Sequence, residues 1–263
     1  MIVFEYLLFL DADMKLVIGK EFTKKMLVHD VYTLHQGSNT IGYYNVRLIK
    51  KSLEFRCVSP THEYYDIQTK HYSQVSIPSD ILRIDDIGDG GAKHDKFERD
   101  IKLLKKGIEE EPNNLRYYFY LAQSYRCIND YDNAIKYYEK RIQMGGWSEE
   151  IWVSYFEIGN IFNKRDNLDK AIFNYLMAYN VNPVRVENIY EISKIYRLKE
   201  KYHLANHFID MARNIMKEKK INDGQILFKQ PNVYKYLIDY EKSIDSYYSG
   251  KLDLGLQISN NLI

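Results

Sequence analysis

The chain has 263 residues, of which 45% are hydrophobic and 28% are charged, and this composition is typical of an ordered globular protein. Its length favours two compact units over one. The 37 Lys and Arg nearly balance the 36 Asp and Glu, which excludes an overall electrostatic field that would draw the chain to nucleic acid or to an anionic membrane. We therefore expect binding to be local and no nucleic-acid partner.

The cysteines and the apolar N-terminal stretch indicate where the chain resides. Cys57 and Cys127 show neither CxxC nor Cys/His spacing, which argues against a zinc module and against a disulfide framework. We expect both to be small buried hydrophobic side chains in a reducing compartment. Residues 1–10 lack the basic flank of a signal peptide and fall far short of the ~20 apolar residues that span a bilayer. The chain is therefore predicted to be cytoplasmic, without a membrane span.

The first 92 residues read as strands and loops. Short apolar clusters at 6–10, 43–49 and 81–84 are separated by Gly, Ser, Asn and Pro. The first cluster is predicted to be a buried strand that ends in two carboxylates, Asp11 and Asp13. Carboxylates at the carboxyl end of a strand suit a hard cation and phosphate oxygens. A strand-end turn also favours Asp for its local hydrogen bonds, so both interpretations stay open.

More polar motifs follow in the same segment. An N-x-R-L pattern spans 45–48, and the pair His62 and Glu63 follows a further apolar stretch. Gly90 and Gly91 mark a turn before the helical part of the chain.

From residue 95 onward the periodicity is helical and the sequence repeats. A first helix is predicted over 95–111. After it, small residues recur at offsets of 37 residues (122 to 159) and 34 residues (159 to 193). The small residues of this first column are Ala122, Gly159 and Ser193, and those of a second column with the same offsets are Ala134, Ala171 and Ala205. A three-residue insertion at Gly145, Gly146 and Trp147 accounts for the longer offset.

This register resembles the tetratricopeptide repeat, a 34-residue helix-turn-helix unit. We predict a helical domain over 93–263, with repeats at about 115–148, 152–185 and 186–219. A degenerate repeat at about 232–263 would cap the solenoid, because an uncapped end exposes apolar surface.

The resemblance implies that the first helix of each repeat lines a concave groove. Basic and amide groups mixed with aromatic rings suit an extended peptide or an acidic chain terminus, and a merely solvated basic face is the alternative. The groove positions are Arg116, Phe119, Gln123, Arg126, Phe156, Asn160, Asn163, Lys164, Tyr190, Lys194 and Arg197.

Taken in order, the D-x-D, N-x-R-L, His-Glu and Gly-Gly motifs and the repeats resemble family 2 glycosyltransferases of GT-A type that carry C-terminal tetratricopeptide repeats. The resemblance implies an α+β chain in which a truncated GT-A-like α/β segment over 1–92 precedes the all-α solenoid. It also implies that the usual N-terminal nucleotide-binding half is missing.

The resemblance further implies metal-assisted transfer of a sugar from a nucleotide-sugar donor to an acceptor. It assigns Asp11 and Asp13 to the donor and to a divalent metal, Mn or Mg. Because such a transfer needs a base for the acceptor and a cation for the leaving diphosphate, Glu63 is assigned as the base and His62 as a metal or diphosphate ligand. The alternative is a His-Glu pair exposed on a loop.

Two functions therefore remain open at this point. One is a glycosyltransferase, or a fragment of one. The other is a non-catalytic repeat scaffold that binds a peptide or protein and whose first 92 residues are a relic. The missing nucleotide-binding half favours the scaffold, whereas the retained carboxylates and the His-Glu pair favour the enzyme.

Overall fold

The structure is a computed structural model that forms two compact units. The first unit extends to Asp130 and includes 226–229, and the second begins at Tyr131 and includes Gln230 and the residues after it. The separate folding of 1–92 and 93–263 stays a prediction. The described residues are 5–37, 42–61, 63–87, 95–218 and 226–262.

The first unit contains a mixed sheet built around β3. Its strands are β1 (Tyr6–Leu8), β2 (Met14–Ile18), β3 (Val31–Gly37), β4 (Gly42–Lys50), β5 (Phe55–Val58), β6 (Tyr64–Ile67), β7 (Gln74–Ile77) and β8 (Leu82–Asp86). Strand β3 pairs with β4 on one edge, and with β7 and then β8 on the other. Strands β1 and β2 extend the sheet beyond β4 and β8, while β5 and β6 form a separate hairpin.

Apolar side chains on the inner strands form the core of this sheet. Tyr32, Leu34, Leu48 and Ile84 are at most 6% exposed. Tyr32 and Leu34 alternate along β3 with polar residues, which is the two-residue period of a strand, while Leu48 lies on β4 and Ile84 on β8. The predicted buried strand over 6–10 is instead the three-residue edge strand β1, and Leu8 is 39% exposed.

The expectation of a GT-A-like α/β segment is wrong. An α/β sheet consists mainly of parallel strands joined by crossover helices. Here the pairings of β1, β2 and β4 are antiparallel, and the only helical turn described within 5–87 is the 3₁₀ turn Lys24–Met26. The short apolar clusters indicated strands, but a cluster of four to eight residues does not reveal its pairing partner or direction.

Helices account for the remainder of the described chain. They are α1 (Lys96–Glu110), α2 (Leu115–Cys127), α3 (Tyr131–Gln143), α4 (Ser148–Lys164), α5 (Leu168–Val181), α6 (Glu187–Leu198), α7 (Tyr202–Glu218), α8 (Ile238–Tyr248) and α9 (Leu252–Asn260). Helices α1 and α2 pack together in the first unit. In the second unit each of the helices α3 to α8 packs on the next, and α6 also contacts α8. A π-helical turn, Val233–Leu237, leads into α8. Within the described residues, every helix is too short or too polar to cross a bilayer.

Small residues allow the paired helices to approach closely. All six residues of the two columns, Ala122, Gly159, Ser193, Ala134, Ala171 and Ala205, are buried. The Oγ atom of Ser193 donates a hydrogen bond to the carbonyl of Ala205 at 2.9 Å and so links the two columns within one repeat. A Cβ atom at Gly159 would lie 2.6 Å from the Tyr175 ring, so this position sets the spacing of α4 from α5.

One position departs from the small-residue pattern, and a buried ion pair accommodates it. Arg141 lies where the later repeats have Ala178 and Ala212. Its guanidinium is buried and lies 2.8 Å from a carboxylate oxygen of Glu150. The same guanidinium donates to the carbonyl of Gly145, in the loop between α3 and α4. The three-residue insertion is therefore fixed by a charged side chain inside the unit.

A second buried ion cluster joins the starts of α4 and α6. The guanidinium of Arg185 lies 2.9 Å from Glu149 and 2.8 Å from Glu187, and it stacks 3.4 Å from the ring centre of Trp152. Glu187 also accepts a hydrogen bond from the Tyr234 hydroxyl at 2.6 Å. Burial disfavours ionisation of Glu187, but Arg185 outweighs this effect and lowers the pKa of Glu187 below its usual value.

The close approach of α4 and α5 at Gly159 can be tested by adding one methyl group. A Cβ atom at position 159 would lie 2.6 Å from the buried Tyr175 ring. We expect Gly159→Ala to destabilise the protein, because overpacking of about 1–3 kcal/mol exceeds the ~1 kcal/mol gained in helix propensity. Thermal unfolding followed by circular dichroism measures the change.

Gly107→Ala in α1 is the matched control. It makes the same helix substitution, but its Cβ would lie 3.1 Å from the nearest atom, which is on the Tyr117 ring. A shift of a few tenths of an ångström accommodates that contact, so we expect a smaller loss or a gain in Tm. Equal losses for the two variants would contradict the close packing at Gly159.

Candidate functional site

The two aspartates of the D-x-D motif lie in the turn between β1 and β2. The carbonyl of Asp11 accepts a hydrogen bond from the Met14 amide, and that of Asp13 accepts one from the Ile87 amide, each at 3.1 Å. The Asp11 side chain is 62% exposed. The Asp11 carbonyl thus closes a local turn, whereas the Asp13 carbonyl extends the pairing of β2 with β8.

The arginine of the N-x-R-L motif has a structural role. The guanidinium of Arg47 is buried, and its Nε and Nη2 atoms donate to Oε1 of Gln36 at 3.0 and 2.7 Å. Nη2 also lies 3.4 Å from Asp11. Arg47 therefore links β4 to β3 and to the β1–β2 turn. It also forms an ion pair with the exposed Asp11 carboxylate.

Glu63 lies beside the hairpin of β5 and β6. Burial raises the pKa of the Tyr65 hydroxyl, and the negative charges of Asp11 and Glu63 add to the increase. The ring of Phe9 packs on Tyr65 at a centroid distance of 4.1 Å. His62 lies outside the described residues.

The described residues contain no cluster of metal ligands, and His62, one of the predicted ligands, is not among them. No group of three His, Cys, Asp or Glu within these parts of the chain could hold a metal ion. A cleft of about 350 Å³ in the first unit lies elsewhere, and residues of β5, the loop after it, α1 and α2 line it rather than Asp11, Asp13 or Glu63. The metal-binding and D-x-D expectations are therefore corrected here.

The expectation of buried cysteines is also wrong. Cys57 on β5 and Cys127 at the end of α2 are both exposed and form no disulfide. The residue type alone does not reveal whether a cysteine is buried or exposed.

In the first unit, the predicted groove residues lie on α2. Phe119 is fully buried, and the guanidinium of Arg116 lies 4.8 Å from the ring centres of both Tyr64 and Tyr120. Such a cation between two aromatic faces is held rigidly and is partly desolvated. Gln123 and Arg126 lie farther along the same helix, and both are half-buried.

In the second unit, the predicted residues of α4 contact other side chains of the unit. Asn160 accepts a hydrogen bond from the Tyr175 hydroxyl at 2.8 Å. Lys164 contacts the hydroxyl of Tyr131 and lies 5.1 Å from the centre of its ring. Phe156 stacks on Trp152.

The predicted cations of α6 form ion pairs within the unit. Lys194 lies 3.0 Å from Glu191, and Arg197 reaches Glu241 of α8 through two hydrogen bonds of 2.6 and 3.2 Å. The hydrogen bond to Glu241 raises the pKa of Arg197, whereas burial raises the pKa of Glu191. This face therefore presents paired charges rather than an excess of positive charge.

The sequence analysis missed a row of tyrosines on the last part of the helical region. Tyr236, Tyr240 and Tyr247 are 42%, 49% and 56% exposed, and we call them the tyrosine stripe. The spacing of Tyr240 and Tyr247 places them on one side of α8, opposite its buried side. The spacing is visible in the sequence, but the degenerate repeat that contains it was interpreted only as a cap.

The tyrosine stripe borders the ion pairs of α6. Burial raises the pKa of Tyr190, and nearby Glu191, Glu241 and Tyr236 raise it further. Tyr240 in turn lies near enough to Arg197 to affect its pKa. Arg197 of α6 donates hydrogen bonds to Glu241, which directly follows Tyr240 in α8, and we therefore describe the stripe and the ion pairs of α6 as one surface.

A buried carboxylate lies under this surface. Oδ2 of Asp245 accepts a hydrogen bond from Ser193 at 3.1 Å, but no described donor reaches Oδ1. Burial raises the pKa of Asp245 to about 6, and nearby Glu241 adds to the increase, while Ser193, Arg197 and Lys242 oppose it. The Asp245 carboxyl group, buried beneath this surface, therefore loses its proton just below neutral pH.

The solved structures that are similar to this chain include proteins with tetratricopeptide repeats. No protein-family model matches the chain, and neither does any curated protein. The solved structure of MamA is 19% identical, with 66% of this chain and 90% of that chain covered and a TM-score of 0.49. The C-terminal part of a TPR repeat-containing protein from Cytophaga hutchinsonii is 17% identical, with 62% and 57% covered and a TM-score of 0.48.

A third similar structure is that of YrrB, described as a TPR protein with an unusual peptide-binding site. It is 14% identical, with 64% of this chain and 77% of that chain covered and a TM-score of 0.46. None of the three is described as a glycosyltransferase. The resemblance to family 2 enzymes is corrected by the antiparallel strand pairings of this chain itself. All three TM-scores lie below 0.5, and the repeat architecture is argued from the helices of this chain alone.

The buried carboxyl group predicts how stability depends on pH. Because the folded-state pKa of Asp245 is raised to about 6, protonation stabilises the fold at low pH, and this contribution is lost as the pH rises through about 6. We expect Asp245→Asn to match the wild type at pH 4 and to exceed it in Tm by about 3 °C at pH 8, for a gain on the order of 1 kcal/mol.

Thermal unfolding at pH 4, 6 and 8 checks this expectation. Glu139→Gln, which neutralises an exposed carboxylate of α3, is the control and is expected to follow the wild type at each pH. A constant difference between Asp245→Asn and the wild type across this range would contradict the assigned role of burial.

Proposed function

We propose that this chain is a protein-interaction scaffold that binds an extended peptide on the surface formed by the tyrosine stripe and α6. The observation that carries the proposal is the stripe itself. Tyr236, Tyr240 and Tyr247 expose two-fifths or more of their surface on one side of a helix whose opposite side is buried. Exposed aromatic side chains grouped in this way mark interaction sites more often than isolated ones do.

Tyrosine suits this task for a physical reason. Its ring offers a large apolar contact area, its hydroxyl donates and accepts hydrogen bonds, and it has few rotatable bonds to immobilise on binding. Tyrosine and arginine are accordingly enriched at the centres of protein interfaces. The stripe combines three such rings with the partly exposed Arg197 beside them.

The ion pairs beside the stripe disfavour an acidic partner. Lys194 and Arg197 already donate to Glu191 and Glu241. An acidic ligand would have to displace these carboxylates, of which Glu241 is 2% exposed, and would leave them buried without a partner. The surface therefore favours a peptide with apolar and uncharged side chains over an acidic chain terminus.

The proposal predicts that peptides selected against the chain bind through the tyrosines. Peptides of random sequence would be selected by phage display on the full chain, and the affinity of the best would be measured by calorimetry. We expect the double variant Tyr240→Ala and Tyr247→Ala to weaken binding at least tenfold, because aromatic anchors carry much of the energy of such interfaces.

Phe173→Ala is the matched control. Phe173 is 60% exposed on α5 and lies outside the stripe, so its removal tests whether any exposed aromatic has the same effect. We expect unchanged affinity for this control. Selected peptides that bind the double variant as tightly as the wild type, or that are uniformly acidic, would contradict the proposed site.

A further inference from the structure

A short segment between α7 and α8 packs within the first unit. Residues 226–229 belong to that unit, although the helices on either side of them in sequence belong to the second. Ile226 and Leu227 are 5% and 7% exposed. The segment is therefore buried through its side chains and is not a loosely attached connection.

The main chain of this segment adds to the edge of a strand. The amide of Gly42 donates to the carbonyl of Lys229 at 3.3 Å, and the two residues form an antiparallel bridge. Within the described residues, β1 pairs with Leu48, Ile49 and Lys50 of β4, and the Phe9 amide donates to the Arg47 carbonyl, so this edge pairing ends before the start of β4. Addition of an extended segment to an uncovered strand edge is a common way to bind peptides.

The side chain of Phe228 lies between two aromatic rings. Its centroid is 5.5 Å from that of Tyr43 on β4, with the rings nearly perpendicular, and 6.4 Å from that of Phe119 on α2, with the rings nearly parallel. Both geometries are those that aromatic pairs prefer. Phe119 is one of the positions at which the repeat register predicts contact with a ligand.

The backbone of Phe228 shows that these contacts determine its conformation. Its φ is +52°, in the left-handed region that bulky side chains rarely adopt. A residue persists there only when its surroundings hold it. The ring contacts of Phe228 and the bridge from Gly42 to Lys229 contribute to holding it.

We propose that Gly42, Tyr43 and Phe119 form a second peptide-binding site, which the chain fills with its own residues 226–229. The partner of this site is an extended peptide that carries an aliphatic pair followed by a phenylalanine and a lysine, the order found in the chain itself. Such a peptide replaces the internal segment by the same bridge and the same ring contacts. The site is separate from the tyrosine stripe and does not depend on it.

The internal segment competes with a free peptide for the site. A covalently attached ligand competes at an effective concentration of about millimolar, so a free peptide binds only to the fraction of molecules in which the site is open. Weakening the internal segment should therefore increase the apparent affinity for a free peptide without any change in the site.

A labelled peptide of residues 226–232, Ile-Leu-Phe-Lys-Gln-Pro-Asn, tests this inference by fluorescence anisotropy with the full chain. The variant Phe228→Gly removes the ring, and glycine adopts a φ of +52° without strain. We expect the peptide to bind Phe228→Gly at least tenfold more tightly than the wild type. Adding Tyr43→Ala to this variant should abolish the gain, and a peptide with alanine in place of phenylalanine should not bind.

Two further variants separate this site from the one proposed above. Phe173→Ala is expected to behave as the wild type, and the double variant Tyr240→Ala and Tyr247→Ala should leave binding of this peptide unchanged. Equal binding to the wild type and to folded Phe228→Gly would overturn the inference. Failure of Phe228→Gly to fold, judged by circular dichroism, would also overturn it, because the segment would then be a fixed part of the core.

Discussion

The buried pairing of Arg185 with Glu149 and Glu187 is the interaction on which the second unit depends. It joins the starts of α4 and α6, and Glu187 also accepts hydrogen bonds from the Tyr234 hydroxyl at 2.6 Å and from the Gln230 amide at 3.4 Å. Removing one member of such a cluster costs about 3–5 kcal/mol, because a charge is left buried without a partner. One carboxylate thus positions both the start of a repeat and the chain that leads into α8.

This constraint has consequences for both proposed surfaces. Tyr234 belongs to the π-helical turn that carries Tyr236, the first member of the tyrosine stripe. Gln230 directly follows Lys229, the residue that pairs with Gly42. Glu187 therefore fixes the chain at the end of the internal segment and at the beginning of the stripe. Within the first unit, the segment 226–229 is held by the rings of Tyr43 and Phe119 and by its bridge to Gly42.

Ion pairs within the chain also explain why single motifs gave wrong predictions of ligand binding. Asp11 faces Arg47, and Arg197 faces Glu241, which is 44 residues away in sequence. A carboxylate at a strand end suits a metal ion equally well, and an arginine on a groove suits an acidic ligand equally well. Which role applies depends on the partner charge, and the partner lies on another element. The resemblance to glycosyltransferases rested on several such short motifs and failed for this reason.

The sequence by itself determined the elements whose cause is local or periodic. Small residues at fixed offsets indicated closely packed helix pairs, because small side chains let two helices approach closely. Gly145 and Gly146 indicated the inserted loop. Other features depend on contacts between distant residues, and only the tertiary structure shows them. They are the pairing of the strands, the ion pairs of Lys194 and Arg197, and the stacking of Phe228 on Phe119. Strand pairing and ion pairing join residues far apart in the chain, and no local spacing encodes which distant partner a residue meets.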